Sequence, residues 1–156
     1  MTMPSPKFLD NFKDCPDVGL TGYKRLKAAC EQANVPLFHG SAPSQTAANG
    51  ECFVTVAQGT SGWDKDSYHT ARHLIMVLNI YCDASRDAQG NITKQDAYAK
   101  AQAIFTYLDT FLDRKTSYDW PEVISCYRPS EPQWLTLHDA PDSGMLHTKY
   151  EVAAIL

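Results

Sequence analysis

The chain has 156 residues, 44% of them hydrophobic and 21% charged, which is ordinary for a soluble globular domain. Fourteen Lys and Arg stand against eighteen Asp and Glu, a formal charge of −4, which argues against a dedicated nucleic-acid binder and against a surface that leans on anionic lipid. Disorder, a collagen repeat, a membrane span and a disulfide scaffold are excluded, and the length suits a single domain over 1–156, with a helical part over 1–34 and a sheet plus long helix over 35–156.

The opening stretch MTMPSPKFLDNFKDCPD has no apolar core of the kind a signal peptide needs. Ser5-Pro6 is a helix-start signal, followed by Phe8, Leu9 and Phe12 at spacings of three and four. Pro16 to Gly19 is expected to break this helix. A second runs from about Tyr23 to Ala33, with Tyr23, Leu26, Ala29, Cys30 and Ala33 on one side, ending at Asn34 and Pro36. Val35 to Phe38 suits a short strand, and His39 to Gly50 a small-residue loop. Glu51 to Gln58 alternates, with Cys52, Val54 and Val56 on one face.

After a polar connection, Gly59 to Thr70, the stretch Arg72 to Asp83 is the most apolar strand of the chain. Leu74, Met76, Leu78, Ile80 and Cys82 line one face; Ile75, Val77, Asn79 and Tyr81 line the other. Such a strand requires cover on both faces, by helices or by another subunit. The apolar run Leu74 to Leu78 falls far short of the ~20 residues of a membrane helix. Thr93 is placed to cap the best-defined helix, which runs to Asp113 with Ala97, Ala101, Ile104, Phe105, Leu108, Phe111 and Leu112 as its apolar stripe. Arg114 and Lys115 follow, suited to the helix dipole. Glu122 to Arg128 reads as a strand that resumes near Trp134 to His138. The turn D-A-P-D-S-G then leads to a last strand, Met145 to Leu156. Cys15, Cys30, Cys52, Cys82 and Cys126 are odd in number and form no C-x-x-C pair. They read as free thiols in a protein folded in a reducing cytoplasm.

No catalytic, cofactor-binding or metal site is expected. His69 and His73 stand at a strand entrance, where residues four apart are ~13 Å separated. Asp64 and Asp66 lack the Gly and closing Glu of a calcium loop. His138-Asp139 has no nucleophile elbow to serve, and no glycine-rich phosphate loop occurs. Lys7, Lys13, Lys24, Arg25 and Lys27 alternate with Asp10, Asp14, Asp17 and Glu31, a solubilising surface. Trp63, Trp120 and Trp134 lie in or beside loops, where exposed Trp favours interfaces.

The order of the second half is an apolar strand ending at Asp83, a loop, the helix Thr93–Asp113, the strand Val123–Arg128 and the final M-L-H-T-K-Y-E-V-A-A-I-L. With the alternating E-C-F-V-T-V-A-Q upstream, it resembles the tail terminator (tail completion) proteins of long non-contractile-tailed bacteriophages, over roughly residues 35–156. The resemblance implies an α+β fold, a mainly antiparallel sheet of four to five strands with an amphipathic helix and N-terminal helices packed on it. It implies a structural virion protein, not an enzyme, made in the host cytoplasm and seated at the head-proximal end of the tail. Its copies would form a hexameric ring that caps the tube, ends its polymerisation and joins the neck. The partners implied are itself, the major tail tube protein and the head–tail connector, with genomic DNA passing through the lumen unbound and no membrane involved. Polar loops carrying isolated aromatics and arginines mark the expected interfaces: Trp63 and Tyr68 toward the tube end, and Arg86, Asp87, Arg128 and Trp134 toward the neighbouring subunit or neck. The alternatives are another head–tail joining or minor tail protein and a small cytosolic α+β enzyme or ligand-binding domain.

Overall fold

The structure is a computed structural model, which describes residues 17–41, 51–59, 71–91, 96–137 and 140–155. Asp17 opens the first helix, α1 (Val18–Ala33), by accepting the Leu20 amide at 3.1 Å. Asn34 closes it in the left-handed conformation at φ 56°, its N–H returning to the Cys30 and Glu31 carbonyls. Val18 and Gly19, expected within the break, are therefore helical, and the helix begins five residues before Tyr23. Gly19 and Gly22 are buried contact points rather than breakers. A Cβ on Gly19 would lie 2.6 Å from the Gln58 amide nitrogen and 2.8 Å from Ala57 Cα, and one on Gly22 would run into Met76 Sδ. The two glycines let the helix backbone lie against the sheet, and that packing outweighs their weak helix propensity.

Four strands complete the first part of the sheet: β1 (Leu37–His39), β2 (Cys52–Gln58) and β3 (Ala71–Cys82) precede the second helix, α2 (Asp96–Leu112), and β4 (Lys115–Thr116) follows it. Then come β5 (Ser125–Tyr127), β6 (Gln133–Leu137) and β7 (Ala140–Ile155). The fold is α+β with a mostly antiparallel sheet, as expected, but with seven strands among the described residues rather than four or five. The order is β1-β2-β3-β7-β5-β4, with β6 pairing β7 beside β5. Among the described residues only β1 on β2 is parallel. The central ladder runs from Ala71↔Ile155 to Cys82↔Gly144. The segment expected as the turn D-A-P-D-S-G lies largely within β7, which starts at Ala140. Gly144 is what permits this, since a Cβ there would strike the Trp134 indole packed across it. The expected cap Thr93 and the first helical segment, Ser5 to Phe12, lie outside the described residues.

Both helices cover the same face. Val54, Val56, Leu74, Met76, Leu78, Ile80, Leu146, Tyr150 and Val152 are buried there under Leu26 and Cys30 of α1 and Ala101, Phe105, Leu108 and Leu112 of α2. The helices are joined where Arg25 Nε donates to the Phe111 carbonyl at 3.1 Å. Of the two faces of β3 expected to need cover, the described helices therefore supply one. No described helix packs on the other face, where Ile75, Val77, Asn79 and Tyr81 stay half-buried.

The cysteine reading is corrected as well. Cys52 and Cys82 are directly opposed on β2 and β3, with Cα atoms 4.1 Å apart, and are joined by a disulfide. Antiparallel register brings together two residues 30 positions apart, a proximity that spacing in the sequence does not display. Cys30 and Cys126 are free and buried. Burial pushes the Cys30 thiol up to about 11. Burial, with the Asp113 and Asp109 charges, pushes Cys126 up to about 12.

Candidate interaction surface

Among the six residues expected at interfaces, Arg86 and Asp87 share one turn and shape it. The Asp87 carboxylate accepts the Gln89 and Asn91 amides at 2.9 and 2.8 Å, and Arg86 donates to the Gly90 carbonyl at 3.1 Å. Gly90 supplies the positive φ, +82°, that the turn requires. Arg128 and Trp134 flank the connection between β5 and β6, and both turn inward. Trp134 packs edge to face on Tyr98 of α2, ring centroids 5.4 Å apart. Trp63 and Tyr68 lie outside the described residues, as do His69, Asp64, Asp66, His138 and Asp139.

Arg128 belongs to a network that pattern reading did not find. Its Nε lies 3.2 Å from Asp109 Oδ1, which also accepts the Tyr150 hydroxyl at 2.6 Å. The Arg128 amide donates to Asp113 at 2.7 Å, and its guanidinium stacks over Phe105 at 5.2 Å. The two charged side chains are only 15% and 18% exposed. Burial, then the hydrogen bond to Asp109, raises the Tyr150 phenol far above its usual range, so Tyr150 is a permanent donor. The network ties α2 to β5 and β7. No local signal marks it, because its members come from three separate elements.

The sheet face away from the helices has a banded chemistry. Phe53, Tyr81, Met145 and Leu135 are opposed in register across β2, β3, β7 and β6. Phe53 and Tyr81 stack at 4.6 Å, and Phe38 of β1 joins on the diagonal, edge to face with Phe53 at 6.0 Å. An apolar row thus crosses the sheet from one edge strand to the other. Beside it runs a polar row, Thr55, Asn79, His147 and Gln133. The period-two alternation of β3 disclosed the central members of both rows, but not the strands on either side.

His147 Nδ1 stands 2.6 Å from Asn79 Oδ1. Burial, with the neighbouring Lys149 charge, holds the ring below its ordinary value of 6.5. The unfolded chain therefore takes up this proton more readily than the folded one. Its contribution to stability is complete above about pH 6.5 and is lost as pH falls toward the lower folded value. Urea unfolding at about pH 7.5 and 5.5 should show wild type losing more stability on acidification than His147→Gln. Identical losses would contradict the assignment.

On the helix side, an open hollow of about 410 Å³ is lined by Val35, Ala103, Ile104, Tyr107, Leu108 and Cys30. Its one thiol is protonated at neutral pH, so the hollow presents apolar surface rather than a poised nucleophile. Among the described residues, no group of three or more His, Cys, Asp or Glu is placed to hold a metal ion, and no helix is long and apolar enough to cross a membrane.

No protein-family model and no curated protein matches the sequence. The fold does match a solved structure, a chain in the virion of a native gene transfer agent particle. The likeness covers 90% of this chain and 96% of that one, with a TM-score of 0.55 and 12% identity. This α+β chain shares its fold with a component of a gene transfer agent virion.

Proposed function

We propose that the chain is a structural protein of a phage-like virion, and within it the subunit of a hexameric ring that closes the head-proximal end of a tail tube and meets the neck. The observation that carries the reading is the fold match to a gene transfer agent virion chain along nearly the full length of both. The order of elements that resembles tail terminators supports the finer part. So does the half-buried sheet face, whose row of Phe53, Tyr81, Met145 and Leu135 offers a subunit contact. A net charge of −4 suits a lumen through which DNA slides without being retained. In this reading Trp63 and Tyr68 approach the tube end. Arg86 and Asp87 present their turn to a neighbour or the neck, while Arg128 and Trp134 hold the β5–β6 connection in shape.

A second position, another head–tail joining or minor tail protein of the same kind of particle, draws equally on the fold match, which names a particle and not a place in it. Purified protein, measured by native mass and then mixed with tail tubes of its own particle, is expected to give ring-shaped caps at one tube end by electron microscopy. A protein that stays monomeric and leaves tube ends bare would end the terminator reading. Binding to isolated connectors instead would favour the second position.

A further inference from the structure

We propose that copies of this chain join edge to edge, β6 of one against β1 of the next, so that the sheet continues from subunit to subunit. The inference rests on the ring reading above and names the contact that would build it.

Three observations converge. The first is the pair of edges. Among the described residues β1 pairs only with β2 and β6 only with β7, so each has a side with no strand beside it. Natural sheets protect such edges with Lys, Pro or inward charges. The β6 sequence Q-W-L-T-L carries no charge and no Pro, and β1 offers Leu37 and Phe38. The second is direction. β1 runs parallel to β2, while β2 with β3, β3 with β7 and β6 with β7 are all antiparallel. β1 and β6 therefore point in opposite directions, and a neighbour in the same orientation meets β6 with an antiparallel β1. The third is the apolar row. It reaches one edge at Phe38 and the other at Leu135, which is 44% exposed. Joining the edges sets Leu135 beside the next copy's Phe38 and extends the row into the neighbouring sheet.

The contact is heterologous, because each copy uses β1 toward one neighbour and β6 toward the other. Where the constant rotation divides a full turn, repetition closes a ring in which every β1 and β6 edge is paired. Three residues in β1 limit the ladder to a few pairs, so a single joint is short and closure of the ring is what secures it.

The test uses the full chain under conditions where wild type gives rings, in solution or on tube ends. The double variant Phe38→Cys/Leu135→Cys is expected to form inter-subunit disulfides on mild oxidation, with a ladder ending at the ring number. Each single variant should give no such ladder. Leu135→Lys, at an exposed position, should keep the wild-type circular dichroism and melting profile. It should lower the ring population roughly tenfold or more, because the joint would bury an unpaired charge. Wild-type rings with no cross-link in the double variant, or undiminished rings in Leu135→Lys, would overturn the edge contact while leaving the ring reading standing. Cross-linking by Leu135→Cys alone would point to like edges meeting and would also overturn it. Absence of wild-type rings both in solution and on tubes would remove the ring reading itself, and this contact with it.

Discussion

Replacing Asp109 by Ala is expected to cost about 3–5 kcal/mol of stability, among the largest effects of any single substitution in this protein. The carboxylate sits where α2, β5 and β7 meet and satisfies both the Arg128 guanidinium and the Tyr150 hydroxyl. Arg128 is only 15% exposed, and the carboxylate left to it, Glu131 at 3.6 Å, is 90% exposed, so its charge is poorly compensated once Asp109 is gone. The Tyr150 hydroxyl would be left without its acceptor in a buried side chain. For a domain of this size the melting midpoint should fall by about 6–20 °C. Asp109→Asn retains an acceptor for Tyr150 and should cost less. Adding Arg128→Met to Asp109→Ala should recover part of the loss, since the poorly compensated cation leaves with it. A loss below about 1 kcal/mol for Asp109→Ala, or no recovery in the double variant, would show that the pair is solvated and contributes little.

Reduction of the Cys52–Cys82 disulfide is expected to cost about 3–4 kcal/mol in the chain-entropy account, given its sequence separation of 30. The bond closes the loop between β2 and β3, the segment an unfolded chain would otherwise explore freely. Guanidinium unfolding with and without dithiothreitol should show the drop in wild type and not in a Cys52→Ala/Cys82→Ala variant. Thiol titration of the denatured protein should rise by two groups on reduction. An unchanged thiol count would show that the two cysteines are not joined, and an unchanged midpoint would show that the strand ladder alone holds β2 to β3.

These two features differ in kind from what the sequence made legible. β3 and α2 were readable because each is long and strictly periodic: alternation of Leu74, Met76, Leu78 and Ile80 in one, the stripe from Ala97 to Leu112 in the other. The start of α1 was not, since Gly19 and Gly22 weaken a helix locally and are favoured only by the strand that lies against them. The early part of β7 was hidden for a similar reason, with Pro141 and Gly144 reading as a turn in isolation. The apolar second face of β3 was visible, but the face on which each helix lands depends on the path of the connections, which periodicity does not encode. The network of Asp109, Arg128 and Tyr150 and the cross-strand disulfide depend on register between distant segments. Among the expected interface residues, the Arg86–Asp87 turn and the inward placement of Arg128 and Trp134 likewise became readable only through their hydrogen bonds and ring contacts.

The place of β7 in the sheet also sets an order of events. It is the last strand along the chain, yet it stands between β3 on one side and β5 and β6 on the other. During synthesis, β6 has no strand to pair with until β7 has left the ribosome, β5 has only the two-residue β4, and β3 lacks half its ladder. Completion of the sheet is therefore a late, long-range step. The edge at β6 is formed in that same step, so under the proposed contact a growing chain offers the β1 edge but not the β6 edge that would receive it. If copies join in this way, the strand order sets when they can do so: the contact waits for β7.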